Sequence, residues 1–151
     1  QKEFARIMSL KDGSRKMSKS ESSDLSRINL TDDKDQIINK IKKAKTDPLA
    51  MPKVADELDQ RLEAKNLLGI YSSLTNNTLD KSIKNFAGKN FSEFKEQLSQ
   101  VLVDKIQPIS LEIKKLLADQ TYLDKILLEG VEKANLIASK KIDRIKEILG
   151  F

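Results

Sequence analysis

The sequence predicts a mainly α-helical chain with an irregular opening arm, and three observations carry that prediction. Charged residues make up 34% and aromatics only 5%, the balance of a helical protein rather than of a sandwich or barrel. Glycine and proline number five and three in 151 residues, too few to punctuate many short strands. The apolar 38% recurs at spacings of three and four over most of the chain beyond Pro52, so there is a core to bury and general disorder is excluded. No apolar run approaches the length of a bilayer span, which predicts a soluble chain without membrane contact.

The elements follow in order. Phe4 to Leu10 is mostly apolar and suits a buried strand or its edge, closed by the turn signal Lys11-Asp12-Gly13-Ser14. From there to Arg27 the chain is polar and rich in Ser and Lys, the composition of a loop. Thr31 is positioned to cap a helix whose acids Asp32, Asp33 and Asp35 complement its N-terminal dipole. Lys40, Lys42, Lys43 and Lys45 fall near its other end, and Ile37, Ile38, Ile41 and Ala44 form its apolar stripe. Asp47-Pro48 ends it, because the residue before proline is pushed out of the α region, and residues 46–53 are a candidate hinge.

Leu62, Leu67, Leu68, Tyr71 and Leu74 mark a second helix, and Thr78 caps a short third one that runs to Phe86 before a turn at Gly88. A long helix starts near Phe91, carrying Phe94, Leu98, Val101, Leu102, Ile106, Ile109, Ile113 and Leu116, with a kink expected at Pro108. Thr121 would cap the last, with Leu123, Leu127, Val131, Ala134, Ala138, Ile142, Ile145 and Leu149 as its core stripe; Gly130 is placed to bend or divide it. The sequence contains no internal repeat.

Composition also limits the chemistry. The chain has no cysteine and no histidine, which removes disulfides, thiolate zinc sites and histidine acid/base catalysis. Of the net charge of +5, most lies in the first third, where residues 1–48 hold 12 Lys/Arg against 8 Asp/Glu. That placement favours a local anionic ligand over a uniformly basic surface. No secretory signal opens the chain, and a start at Gln1 without methionine suggests a fragment whose own N-terminus lies elsewhere.

The most informative segment is Lys16-Met17-Ser18-Lys19-Ser20. Two ammonium groups three residues apart, with hydroxyls and little bulk between them, suit charge developing on a polyphosphate. The G-x-x-x-x-G-K-[ST] spacing is absent, so this is not a Walker cradle. The bland reading is a solvated Lys/Ser linker. The lysines after residue 39 read first as a solvated helix end, with phosphate contact as the alternative, and Asp32 and Asp33 read as capping acids rather than metal ligands. Tyr71, Phe86, Phe91, Phe94 and Tyr122 read as core rather than as platforms for unpaired bases.

These five residues resemble the KMSKS signature of class I aminoacyl-tRNA synthetases, and their flanks resemble the tryptophanyl-tRNA synthetase family. Ala5-Arg6-Ile7-Met8-Ser9-Leu10 and Asp12 precede the motif as in that family. Arg27-Ile28-Asn29-Leu30, Asp32-Asp33, Lys40-Ile41 and Thr46-Asp47 follow it, and Asn66-Leu67-Leu68, Ile70-Tyr71-Ser72, Pro108-Ile109 and Glu129 to Asn135 match later. Phe4, Gly13 and Glu21 depart from the pattern, standing where glycine, proline and aspartate are usual.

The resemblance implies activation of tryptophan with ATP, release of pyrophosphate, and transfer to tRNA(Trp). Lys16 and Lys19 would be the catalytic cations, with Met17, Ser18 and Ser20 completing an ATP-binding loop, Ile7 and Met8 against the adenine through backbone contacts, and Mg²⁺ assisting. It further implies that residues 1–30 end a Rossmann catalytic domain, that residues 31–48 form a linker helix, and that residues 49–151 form a helical anticodon-binding domain, within a cytoplasmic homodimer. The family's HIGH-type motif needs histidine, so this piece is expected to be inactive alone. A tyrosine enzyme is a weaker reading. A non-enzymatic helical RNA-binding or adaptor module with a regulatory Lys/Ser loop is the alternative from another class.

Overall fold

The computed structural model describes residues 6–150. They form five α-helices, α1 (Lys34–Lys42), α2 (Leu62–Thr75), α3 (Leu79–Phe86), α4 (Phe91–Ala118) and α5 (Gln120–Leu149), with 3₁₀ turns at Asp24–Ser26 and Ala55–Gln60. No strand forms among the described residues, in keeping with the mainly α reading. Of the expected strand, Phe4 and Ala5 lie outside the described residues. The remainder makes a single antiparallel bridge between Met8 and Lys16, through Ser9 N–H to the Arg15 carbonyl at 2.7 Å and Met17 N–H to the Ile7 carbonyl at 3.0 Å. On the turn side pairing stops there because the next groups are taken by the turn itself: the Ser9 carbonyl accepts from Asp12 N–H at 3.4 Å, and Arg15 N–H donates to the Asp12 carbonyl at 3.1 Å.

Two helix starts differ from the expectation. Asp33, not Thr31, caps α1: its carboxylate accepts from Gln36 N–H at 2.8 Å, and the Gln36 side chain accepts from Asp33 N–H at 2.9 Å. This reciprocal box satisfies two donors where a lone threonine satisfies one. Asp119, not Thr121, caps α5, accepting from Tyr122 N–H at 3.0 Å. Thr78 caps α3 as expected. The helix α4 continues through Pro108 and α5 through Gly130 without a break.

By its contacts the chain divides into two units, the first ending at Leu111 and the second beginning at Glu112. The expected divisions at 30/31 and 48/49 do not coincide with this one, because the first unit has one continuous core. Leu10 from the opening arm shares it with Ile37 and Ile41 of α1, Leu67 and Leu68 of α2, Ile83 and Phe86 of α3, and Phe94 and Leu98 of α4. Its centre is aromatic. Tyr71, Phe86 and Phe94 meet edge to face with centroids 4.8–6.0 Å apart, geometry worth about 0.5–1.5 kcal/mol per pair beyond burial. Phe91 is buried as well, whereas Tyr122 is exposed, so the core reading fails for that one aromatic.

Residues 46–53 are tied down rather than hinge-like. Arg61 grips Asp47 through two hydrogen bonds of 2.8 and 2.9 Å and donates to the Ala50 carbonyl at 2.8 Å. Burial opposes ionisation of Asp47, but the Arg61 guanidinium and Leu49 N–H outweigh it and hold the carboxyl below the usual carboxylate range. Met51 is buried and exchanges backbone hydrogen bonds with Gly88 and Lys89.

In the second unit, the apolar stripe of α5 is not a core. Leu127, Val131, Ile142, Ile145 and Leu149 are exposed, and no residue of α5 is buried. Periodicity specifies which face of a helix is apolar but not that the chain supplies a partner for it.

One close approach joins the loop arm to α2. A Cβ added to Gly13 would lie 2.7–2.9 Å from the backbone of Leu62 and Glu63, and backbone atoms do not yield as a side-chain end does. Gly13→Ala is therefore expected to cost about 1–3 kcal/mol by overpacking, read as a lowered denaturant midpoint; an unchanged midpoint would refute the approach.

Candidate functional site

The Lys16–Ser20 segment is a docked bend, not a free tail. Its entry is held by the bridge to Ile7 and Met8. Its apex is tightened by Ser20 N–H donating to Ser18 Oγ at 3.2 Å, a local turn that serine favours. Its exit is held by Arg27, whose guanidinium donates to the Glu21 carbonyl at 2.9 Å.

The bend and residues 27–31 line an open groove of about 540 Å³, to which Arg6, Ile7, Lys16, Met17, Ser18 and Lys19 contribute together with Arg27, Ile28 and Asn29. Five of the seven residues expected to bind nucleotide thus share one surface. Met8 and Ser20 do not line it. Met8 is also unable to offer a backbone donor to a base, because its N–H donates to Asn66 Oδ1 and its carbonyl accepts from Asn66 Nδ2, both at 2.9 Å. That contact spans 58 residues, and nothing local in the sequence announces it.

Among the described residues the groove is lined by four cations, Arg6, Lys16, Lys19 and Arg27, and by no acid. Lys16 and Lys19 are exposed, and among the described residues neither is paired with a carboxylate. An acid-free concavity with unpaired ammonium groups concentrates positive potential and suits a polyanion. Arg6 and Arg27 stand in the flanks that match the family but are not among the expected site residues. Arg6 adjoins Ile7, whose carbonyl pairs with Met17 N–H, and Arg27 lines the groove because residues 27–31 return beside the bend.

Arg27 and Asn29 of the groove connect to a charge network with a buried end. Lys40 is only 4% exposed, and its Nζ lies 2.7 Å from Asp32, itself 4% exposed, and 2.6 Å from Asp24. Asp32 also accepts from Asn29 N–H at 2.8 Å, and Asp24 from Asn29 Nδ2 at 2.9 Å and from Arg27 at 2.9 Å. The hydrogen bond from Lys40, followed by that from Asn29, holds the Asp24 carboxyl below its ordinary range. Lys40 was expected on a solvated helix end and Asp32 in a cap; both are buried instead. Lys40 falls three residues after Ile37, on the inward face with Ile41, while Ile38 is exposed. Lys42, Lys43 and Lys45 are exposed, and Lys45 pairs with Glu63 at 2.8 Å, which raises the lysine and lowers the glutamate.

Comparison with known proteins gives the family. Residues 3–107 match the family described as tRNA synthetases class I (W and Y). The tryptophan–tRNA ligase of Agrobacterium fabrum is 49% identical over 146 residues, which is 97% of this chain and 41% of that protein. That of Rickettsia felis is 49% identical over 97% of this chain and 44% of its own length. The chain therefore spans less than half the length of these relatives. Among solved structures, the tryptophanyl-tRNA synthetase of Mycoplasma pneumoniae superposes with a TM-score of 0.73 at 24% identity, over 100% of this chain and 47% of that one. At that identity the superposition speaks for the fold. With the family match covering the bend, the groove and the helices α1 to α3, the chain belongs to the class I tRNA synthetases of the tryptophan and tyrosine group.

Proposed function

We propose that this chain is the KMSKS-bearing and helical portion of a tryptophan–tRNA ligase, and that its groove binds the phosphates of ATP during tryptophan activation. The observation that carries the reading is the convergence of Lys16 and Lys19 with Arg6 and Arg27 on one surface that has no acid among its described residues. In the reaction, the tryptophan carboxylate attacks the α-phosphorus of ATP, the bond from that phosphorus to the bridging oxygen breaks, and the electron pair leaves with pyrophosphate. The attacking carboxylate is already ionised, so no side-chain base is needed, which suits a chain without histidine. The need is for fixed positive charge at the leaving pyrophosphate, and Lys16 and Lys19 supply it. Met17 and Ile7 contribute an apolar wall, and the Ser18 hydroxyl fixes the bend.

Among the described residues the groove offers cations and no carboxylate, and no group of three or more potential metal-holding acids occurs. Mg²⁺ would therefore be carried in with the nucleotide and would supply further positive charge at its phosphates. The helical remainder is assigned to tRNA(Trp), and the whole enzyme to a cytoplasmic homodimer, on family grounds. The docked state of the Lys/Ser segment argues against a regulatory tail.

The test is tryptophan-dependent exchange of pyrophosphate into ATP. The full-length enzyme is expected to catalyse it and the isolated chain to lack it. Exchange driven equally by tyrosine, or robust exchange by the isolated chain, would overturn the reading.

A further inference from the structure

We propose that Lys40 is a positioning residue for the phosphate-binding bend, acting through Asp24 and Arg27; this rests on the ATP reading above. Four links make the connection. The ammonium of Lys40 projects from the inward face of α1 and holds Asp24 at 2.6 Å. Asp24 opens the 3₁₀ turn Asp24–Ser26, a few residues beyond the motif. The same carboxylate binds Arg27 at 2.9 Å, and Arg27 donates to the carbonyl of Glu21, the residue directly after Ser20. The exit of the bend is thus referenced to a charge fixed inside the first unit.

The burial pattern gives the network a rigid end and an adjustable one. A buried ammonium is tolerated only when paired, and Asp32, equally buried, already neutralises it. Asp24 is a second carboxylate, 53% exposed, and is not required to balance Lys40. Its evident effect is on geometry: it orients Arg27 at the groove wall and fixes where the chain leaves the bend. Lys19, two residues before Glu21, inherits that placement. A displacement of about 1 Å at reacting groups costs on the order of a hundredfold in rate, so anchoring the exit of the bend has kinetic consequences even though Lys40 touches no substrate.

Asp24→Ala in the full-length enzyme tests this, because Lys40 keeps Asp32 and the fold is retained. ATP–pyrophosphate exchange is expected to show KM for ATP raised, or kcat lowered, by about tenfold, with KM for tryptophan and the melting temperature unchanged. In a double-mutant cycle with Lys19→Ala the two effects are expected to be strongly non-additive, since both act through one cation. Wild-type kinetics for Asp24→Ala, or additivity with Lys19→Ala, would overturn the positioning role while leaving the ATP reading intact. A Lys19→Ala enzyme with undiminished exchange would instead overturn the ATP reading itself, and the positioning role with it.

Discussion

Lys19→Ala in the full-length enzyme is expected to lower the kcat of ATP–pyrophosphate exchange by about 10²–10³-fold, the loss typical of deleting one preorganised group that meets developing charge. The effect should fall on kcat more than on KM for ATP. Charge on the leaving pyrophosphate grows toward the transition state, and an interaction that strengthens along that path contributes to the barrier rather than to ground-state binding. Stability should not follow activity. Lys19 is exposed, and among the described residues it is in no ion pair, so its removal is expected to shift unfolding by less than about 0.5 kcal/mol. Exchange at saturating ATP, with a thermal melt of the same preparation, separates the two. An unchanged exchange rate would remove Lys19 from the mechanism, and a parallel loss of stability would reassign it to the fold.

What could be read in the sequence divides by the range of the signal. The bend itself was legible, because its chemistry is confined to five consecutive residues. The helices were legible because apolar spacing is local, and Thr78 was legible as a cap for the same reason. The two caps assigned to Thr31 and Thr121 went to the neighbouring acids Asp33 and Asp119. For Asp33 the signal was present in Gln36, three residues on, which completes a box that Thr31 lacks. Boundaries are decided by such competitions between residues two positions apart.

Features that depend on distant contacts were not legible. Asn66 reads as an ordinary polar residue of α2, yet it binds both backbone groups of Met8 and so takes up that residue's one backbone donor. Gly13 reads as a turn residue, whereas its want of a Cβ is used against the backbone of Leu62. Arg6 reaches the groove through the pairing of Ile7 with Met17, and Arg27 because residues 27–31 return beside the bend. The stripe of α5 was correctly read as apolar and wrongly read as core, because the periodicity of one helix does not specify what covers it.

Lys40 shows why charge on a helix is a weak guide to exposure, and its removal should have the largest effect on stability. Lys40→Met keeps the length and bulk of the side chain and deletes the charge, leaving Asp32 buried with donors from Asn29 alone. A buried carboxylate stripped of its cation typically costs about 3–5 kcal/mol, a large fraction of the stability of a unit this size. The double variant Lys40→Met/Asp32→Leu removes both desolvated charges and is expected to regain most of that loss, because the pair's attraction in the native state largely offsets its desolvation. Equilibrium denaturation of the wild type, the single and the double variants measures both quantities. A single variant within about 1 kcal/mol of wild type would mean that Asp32 is not dependent on Lys40. A double variant as unstable as the single one would mean that the pair contributes more than charge compensation, by ordering Asn29 and the chain that returns to the groove. The difference between these outcomes locates the energetic role of Lys40 either in the core or in the geometry of residues 27–31.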